Sequence, residues 1–173
     1  QYISLNPSYT LIHGKNEFNF RAQWMDRDYD QEKDRDREGE RVLFGFDYTR
    51  DINANLALKA GATTYTQDGR EDYEEFDVDE VYASGLWNAW EGGAVFLRVS
   101  YRETEYDGLE PIFNIGRDED ETRYILGVSH NFRGGTMEGW GISGRISYSD
   151  NESNIDIFEY DRNLASLELT KRF

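Results

Sequence analysis

The chain has 173 residues, with 19 Lys and Arg against 35 Asp and Glu, which gives a formal net charge of −16. The length suits one domain, spanning residues 1–173. The absence of cysteine excludes disulfide scaffolds, thiolate metal sites and cysteine nucleophiles. The acidic balance argues against nucleic acid as a partner, because phosphate neutralisation needs an excess of Lys and Arg. No apolar run approaches the roughly 20 residues of a membrane helix.

Apolar and polar residues alternate with period two along most of the chain, which is the period of a β-strand. In one such run Leu97, Val99 and Tyr101 alternate with Arg98, Ser100 and Arg102, and no stretch has the i, i+3, i+4, i+7 stripe of a helix. The pattern therefore predicts an all-β chain of about nine or ten strands. In chain order the predicted strands are 2–13 (weak), 17–25, 41–49, 55–65, 80–89 (weak), 93–102, 123–132, 140–148 and 165–173.

The connections between the predicted strands alternate between short and long. The short ones are 14–16, 51–53, 90–92 and 133–139, and the long polar ones are 27–40, 67–79, 105–121 and 150–159. An antiparallel up-and-down order with tight turns at one end and long loops at the other is typical of a transmembrane β-barrel. Most acidic residues fall in the predicted long loops, so they leave the apolar stripes of the strands uncharged.

Alternation alone also fits a soluble β-barrel or sandwich, whose apolar face is buried. Three features favour a membrane barrel: strands longer than the mode of five to six in soluble proteins, aromatic residues at the ends of the apolar stripes, and arginines in the middle of the polar stripes. The residues predicted to face lipid are Phe18, Phe20, Phe44, Phe46, Leu56, Leu58, Val95, Leu97, Val128, Ile142, Ile146, Leu167 and Leu169.

The C-terminal strand carries a second signal. Leu167, Leu169 and the terminal Phe173 lie on one face, in a pattern that resembles the assembly signal of bacterial outer-membrane barrels. The segments 149–154 and 160–164 resemble the ends of two families: β-barrel porins linked to exopolysaccharide systems, and the barrel of surface lipoprotein assembly modifiers. The resemblance implies a bacterial outer-membrane location, contact with membrane lipid, lipopolysaccharide and the barrel-assembly machinery, and a periplasmic or surface protein as a further partner.

The number of predicted strands indicates whether residues 1–173 form a whole barrel or part of one. With Phe173 at the periplasmic end, counting back nine strands places Tyr2 on the extracellular side. Bacterial single-chain barrels have even strand numbers, with both termini in the periplasm. We therefore expect residues 1–173 to be the C-terminal part of a larger barrel, with a complete ten-stranded barrel as the alternative.

No catalytic motif is present, and His13 and His130 lie near predicted short turns, so we expect structural roles for them and no enzymatic activity. No cofactor and no metal site is predicted, because the mixed charges of 34–40 are those of a solvated loop and lack EF-hand spacing. The polar stripes predict a lumen. Its candidate lining residues are Arg21, Asp47, Lys59, Arg98, Arg102, Arg123, Arg145, Arg162 and Glu168.

Two functions remain open. The first is an outer-membrane porin or export conduit, in which excess arginine would favour small anionic solutes, including acidic saccharides. The second is a non-conducting structural or interaction barrel that acts as an anchor, a translocation partner or a sheath for another surface protein. In both, the long acidic loops are expected outside and the short turns in the periplasm.

Overall fold

The computed structural model describes residues 2–27, 39–69 and 71–172. In this part of the chain, strands are joined by turns and by three single-turn 3-10 helices, Asp72–Glu74, Gly135–Met137 and Asp156–Phe158. No helix among the described residues has the length and apolar character needed to cross a membrane. The strands are β1 (Tyr2–Leu5), β2 (Ser8–His13), β3 (Asn16–Arg27), β4 (Gly39–Asn53), β5 (Leu56–Gln67), β6 (Phe76–Trp90), β7 (Gly93–Leu109), β8 (Gly116–Asn131), β9 (Trp140–Ser153) and β10 (Tyr160–Lys171).

The strands form one antiparallel sheet in which β3 to β9 each pair with the next strand along the chain. The first predicted strand, 2–13, is interrupted at Asn6 and Pro7, and its two pieces β1 and β2 both pair with β3. Proline has no N–H to donate, so a break at Pro7 is expected. Its carbonyl still accepts a hydrogen bond from the Ala22 N–H, at 3.0 Å. The all-β, up-and-down architecture is confirmed.

Strand lengths differ from the prediction at the long-loop end. β7 continues to Leu109, β8 starts at Gly116, and β9 continues to Ser153, so the predicted loops 105–121 and 150–159 shrink to 110–115 and 154–159. The predicted loop 67–79 likewise loses Phe76 and the residues after it to β6. The reason is that outward-facing carboxylates made these ends look like solvated loops, although their backbones continue the strand ladder. The acidic run within 27–40 lies largely outside the described residues.

Apolar side chains are exposed and polar side chains are covered, which is the reverse of the arrangement in a soluble protein. Among the described residues only Met25, Val78 and Ile155 are buried hydrophobics. The predicted lipid-facing residues all lie on one face, called here the outer face, and Phe44, Leu97 and Ile146 on it are each more than half exposed. The opposite, inner face is more covered and polar, and it contains the buried Asp47 and Glu121. This sidedness is that of a transmembrane β-barrel, in which hydrocarbon contacts the apolar outer face.

The short turns have the backbone that tight hairpins need. Gly14 and Gly92 occupy the left-handed region, with φ of +63° and +75°. Gly92 is also sterically required, because a Cβ there would lie 2.4 Å from the carbonyl oxygen of Asn131. Gly14 is the first residue of its two-residue loop, where a type II′ turn needs positive φ, and Gly92 is the second residue of its loop, where positive φ again favours glycine.

Candidate functional site

The predicted lumen residues all lie on the inner face, distributed over successive register rows. One row joins Arg21 through Gly45, Thr63 and Glu80 to Arg102 and Glu121. The next row towards the short turns contains Asp47, Arg123 and Arg162, and the rows after it contain Lys59 and Arg98, then Arg145, then Glu168. The sequence therefore assigned their common face correctly. Their role as the lining of a pore stays a prediction.

Asp47 on β4 is the centre of a four-strand polar cluster, called here the Asp47 centre (Arg21, Asp47, Lys59 and Tyr82). Its carboxylate lies 3.3 Å from Arg21 Nε and 3.4 Å from Lys59 Nζ, and the Tyr82 hydroxyl donates to it. The Asp47 side chain is 6% exposed, while those of Arg21 and Lys59 are 43% and 41% exposed. A buried carboxylate is thus held by two half-exposed cations and one hydroxyl on β3 to β6.

Gly61 makes the Asp47 centre possible. It lies on β5 between Asp47 and Tyr82 in the same register row. A Cβ at Gly61 would lie 2.5 Å from Asp47 Oδ1 and 2.7 Å from both the Phe46 carbonyl oxygen and Tyr82 Cε1. Only a residue without a side chain lets the tyrosine cross β5 to reach the carboxylate.

Glu121 on β8 is the focus of a second cluster, the Glu121 centre (Arg102, Glu121, Arg123, Ser149 and Tyr160). Its carboxylate lies 2.7 Å from Arg123 and 3.4 Å from Arg102, and accepts a 2.9 Å hydrogen bond from the Tyr160 hydroxyl. Arg123 Nε also donates to Ser149 Oγ at 3.0 Å. The two centres use the same design, in which one buried carboxylate forms ion pairs with two cations and a tyrosine reaches it from two strands away.

The remaining predicted lumen residues differ in how they are satisfied. Arg98 pairs with Glu80 at 2.7 Å and stacks on the Tyr82 ring at 3.8 Å, which links it to the Asp47 centre. Arg162 lies over the Tyr160 ring at 5.4 Å. The side chains of Arg145 and Glu168 make no hydrogen bond, ion pair or ring contact with any other described residue. They border an inner-face cavity of about 330 Å³ whose floor includes Gly127, Ser129 and Ser143.

A layer of aromatic rings and guanidinium groups near the long-loop end was missed by the sequence analysis. Phe76 contacts Tyr65 and Tyr106 at centroid distances of 6.2 and 5.3 Å. Arg41 lies 4.7 Å above the Tyr65 ring, and Arg117 lies 4.4 Å from the Tyr106 ring and 3.6 Å from that of Phe158. The alternation of Phe76 and Val78 with Asp77 and Asp79 was a usable signal, but the acidic residues made it look like a loop.

On the outer face, carboxylates stand in register directly beyond the apolar band. One row aligns Asp79, Glu103, Asp120 and Glu152 on β6 to β9, and the next aligns Asp77, Glu105 and Asp118. Like charges directly opposite one another on neighbouring strands are unfavourable. Much of the acidity assigned to loops therefore lies on strand ends. Two tyrosine hydroxyls at the border of the band offset part of this repulsion: Tyr101 donates to Glu103 and Asp120, and Tyr148 donates to Asp161.

The other predicted residues are placed as follows. Leu167 and Leu169 lie on the outer face of β10 and are 77% and 59% exposed. Phe173, the third residue of the proposed assembly signal, lies outside the described residues. His13 ends β2 before the Gly14 turn, and His130 lies near the end of β8, where its Nδ1 accepts a 3.0 Å hydrogen bond from Trp90 Nε1.

Long antiparallel strands, an exposed apolar outer face and an ion-paired inner face define this chain as a transmembrane β-barrel of the up-and-down type. A model of the surface lipoprotein assembly modifier family matches residues 10–173. The chain therefore belongs to that family. A search of curated proteins finds no match to the chain.

Proposed function

We propose that this chain acts in the bacterial outer membrane as an interaction barrel that assists the delivery of a lipoprotein to the cell surface. The observation that carries the proposal is the family match over residues 10–173. The inverted sidedness of the sheet supports the membrane location, because exposed side chains such as Leu97 and Phe44 are stable only against hydrocarbon. No catalytic step is part of this function.

The inner face supports a contact role over simple charge selection. Arg21, Lys59, Arg98, Arg102 and Arg123 each form an ion pair with Asp47, Glu80 or Glu121, so these five cations share three carboxylates. Paired charges attract anionic solutes less than free ones do, and they join neighbouring strands into a stiff wall. The porin interpretation predicted that an excess of arginine would favour anionic solutes, and in the described part of the chain Arg145 is the lumen arginine whose side chain has neither a carboxylate partner nor a stacked ring.

The test is a delivery assay with the full-length protein. A candidate surface lipoprotein of the same bacterium is expressed in a Gram-negative host with and without this protein, and protease is added to intact cells. We expect cleavage of the lipoprotein to rise several-fold when the protein is present. An unrelated outer-membrane barrel expressed at the same level is the control. Equal cleavage with either barrel would contradict the proposal.

A conduit for small anions is the second candidate, and it rests on Arg145. This side chain borders the small-residue cavity on the inner face and is free to meet a solute. In planar-bilayer recordings of the full-length protein, a conduit predicts steady conductance with anion preference, and Arg145→Gln should reduce that preference. Absence of conductance in the wild-type protein would remove this candidate and leave the delivery function.

A further inference from the structure

A groove of about 730 Å³ crosses the outer face of β2 to β6. It runs between two neighbouring register rows. One row consists of Tyr9, Phe20, Phe46, Ala62 and Val81, and the other of Pro7, Ala22, Phe44, Thr64 and Asp79. The residues between these positions, such as Thr63 and Glu80, have inward side chains and border the groove through their backbone. The groove thus belongs to the hydrocarbon-facing side of the sheet.

The groove is formed by a contrast in side-chain size. Phe20 and Phe46 pack ring to ring, with centroids 5.1 Å apart, and Phe44 rises beside them. Further along, Ala62 and Thr64 are small and leave open volume in front of the sheet. From β2 to β6 the groove crosses four strand intervals, which is roughly 19 Å at ~4.8 Å per interval. That length suits one extended saturated acyl chain of a bacterial lipid.

The charge around the groove selects among lipids. Asp79 lines its β6 end. Asp77 and Glu103 lie next to Asp79, along β6 and across on β7. The one cation among the lining residues, Arg21, is turned inwards to Asp47. A lipid phosphate here would face carboxylates without a cation to bind it, which is unfavourable by Coulomb's law.

We propose that the groove binds an acyl chain of the lipid anchor of the delivered lipoprotein, and this inference rests on the delivery function proposed above. Such an anchor is a diacylglyceryl group on an acylated N-terminal cysteine, and it carries no phosphate. It therefore supplies the apolar chain that the groove fits and avoids the repulsion that phospholipids and lipopolysaccharide meet at Asp79. The groove is a lipid-anchor site on the outside of the barrel wall.

The first test fills the groove. Binding of a fluorescent tripalmitoyl-cysteinyl peptide is measured on the full-length protein in detergent for Ala62→Phe and for Ala60→Phe. Both alanines are exposed on the outer face of β5, but Ala60 lies outside the groove. Because a phenyl ring in the groove overpacks the bound chain, Ala62→Phe should weaken binding by about tenfold or more, whereas Ala60→Phe should leave it within about twofold. Equal effects of the two substitutions would overturn the proposal.

The second test addresses the lipid class. Phosphatidylglycerol with the same acyl chains is used as a competitor against the peptide. The wild-type protein should bind the peptide several-fold more tightly than phosphatidylglycerol. Asp79→Asn should narrow this difference, and Asp150→Asn, a carboxylate on β9 remote from the groove, should not. If phosphatidylglycerol competes as well as unlabelled peptide in the wild type, the groove holds ordinary membrane lipid and the proposal is wrong.

The two proposals fail separately. In one outcome the wild-type protein does not increase lipoprotein display, yet it binds the peptide and Ala62→Phe weakens that binding. This outcome would refute the delivery function and leave the acyl-chain site standing. Normal delivery by a protein whose peptide binding is insensitive to Ala62→Phe would refute the groove and leave the delivery function intact.

Discussion

The outer and inner faces of this sheet are built from the same strands by opposite rules. Along β7, Leu97 and Val99 point outwards and are exposed, while Arg98 between them points inwards and is paired with Glu80. The outer face has aromatic contacts such as Phe20 with Phe46 but leaves most of its apolar surface exposed, so its stability depends on the surrounding hydrocarbon. The inner face is stabilised by its own ion pairs and hydrogen bonds. The stability of the outer face therefore depends on membrane hydrocarbon, and the stability of the inner face depends on contacts between its own side chains.

The largest expected effect comes from placing a charge on the wrong face. Leu58→Arg puts a guanidinium in the apolar band of β5, where arginine near the midplane costs about 2–4 kcal/mol. Ala57→Arg is the matched control, because it points inwards opposite Asp51. Urea unfolding of the full-length protein in lipid vesicles should show a large decrease in the free energy of unfolding for Leu58→Arg and a small change for Ala57→Arg. Similar losses for both variants would mean that the two faces do not differ as described.

The next effect comes from the crossing at Gly61. Gly61→Ala places a methyl group against Asp47, Tyr82 and a backbone carbonyl. We therefore expect the free energy of unfolding to fall by about 1–3 kcal/mol, the usual range for overpacking. Gly127→Ala is the control, because its Cβ meets no atom closer than 3.8 Å. The same unfolding measurement applies. A Gly61→Ala protein as stable as the Gly127→Ala protein would show that the Tyr82 to Asp47 contact is not needed.

The buried carboxylate should matter more than either of its cations. Asp47→Asn leaves Arg21 and Lys59 without a counter-charge, and we expect a loss of about 1–2 kcal/mol after allowing for their solvent exposure. Arg21→Gln should cost less, because Lys59 still neutralises Asp47. Combining Asp47→Asn with Glu121→Gln should give additive losses, since the two centres share no residue. Strong non-additivity would indicate that the two centres are coupled.

The sequence pattern predicts which face each side chain lies on, but it does not predict contacts that cross several strands. Period-two alternation was sufficient to assign the outer stripe and the common face of the nine predicted lumen residues, because side-chain direction in a strand follows from position alone. It could not reveal that Tyr82 reaches Asp47 across Gly61, since this contact depends on register across three strands. It also misplaced the strand ends at Phe76 and Tyr106, where acidic outward neighbours made a strand resemble a loop.

The smallest expected effect concerns the acidic rows beyond the apolar band. Partial desolvation, then Asp107, Asp79 and Asp68, raise the pKa of Asp77 above its ordinary value. The folded state therefore holds this proton more tightly, so the contribution to stability is greatest at low pH and declines as pH rises through the folded-state pKa. Asp77→Asn should raise the melting temperature slightly at pH 7 and leave it unchanged near about pH 2.5, well below the ordinary aspartate pKa, where the carboxyl is protonated in both states. A melting temperature that Asp77→Asn leaves unchanged at both pH values would contradict this prediction.

The central claim is that the exposed apolar face contacts hydrocarbon, and the chain offers a direct measurement because it contains no native cysteine. Single cysteines are introduced at 96–100 on β7 of the full-length protein in vesicles, labelled with an environment-sensitive fluorophore, and quenched with nitroxide lipids or with a water-soluble quencher. The account predicts alternation: labels at Leu97 and Val99 respond to the lipid quencher, and labels at Phe96, Arg98 and Ser100 do not. Equal lipid quenching at all five positions, or quenching on the inner positions alone, would contradict it.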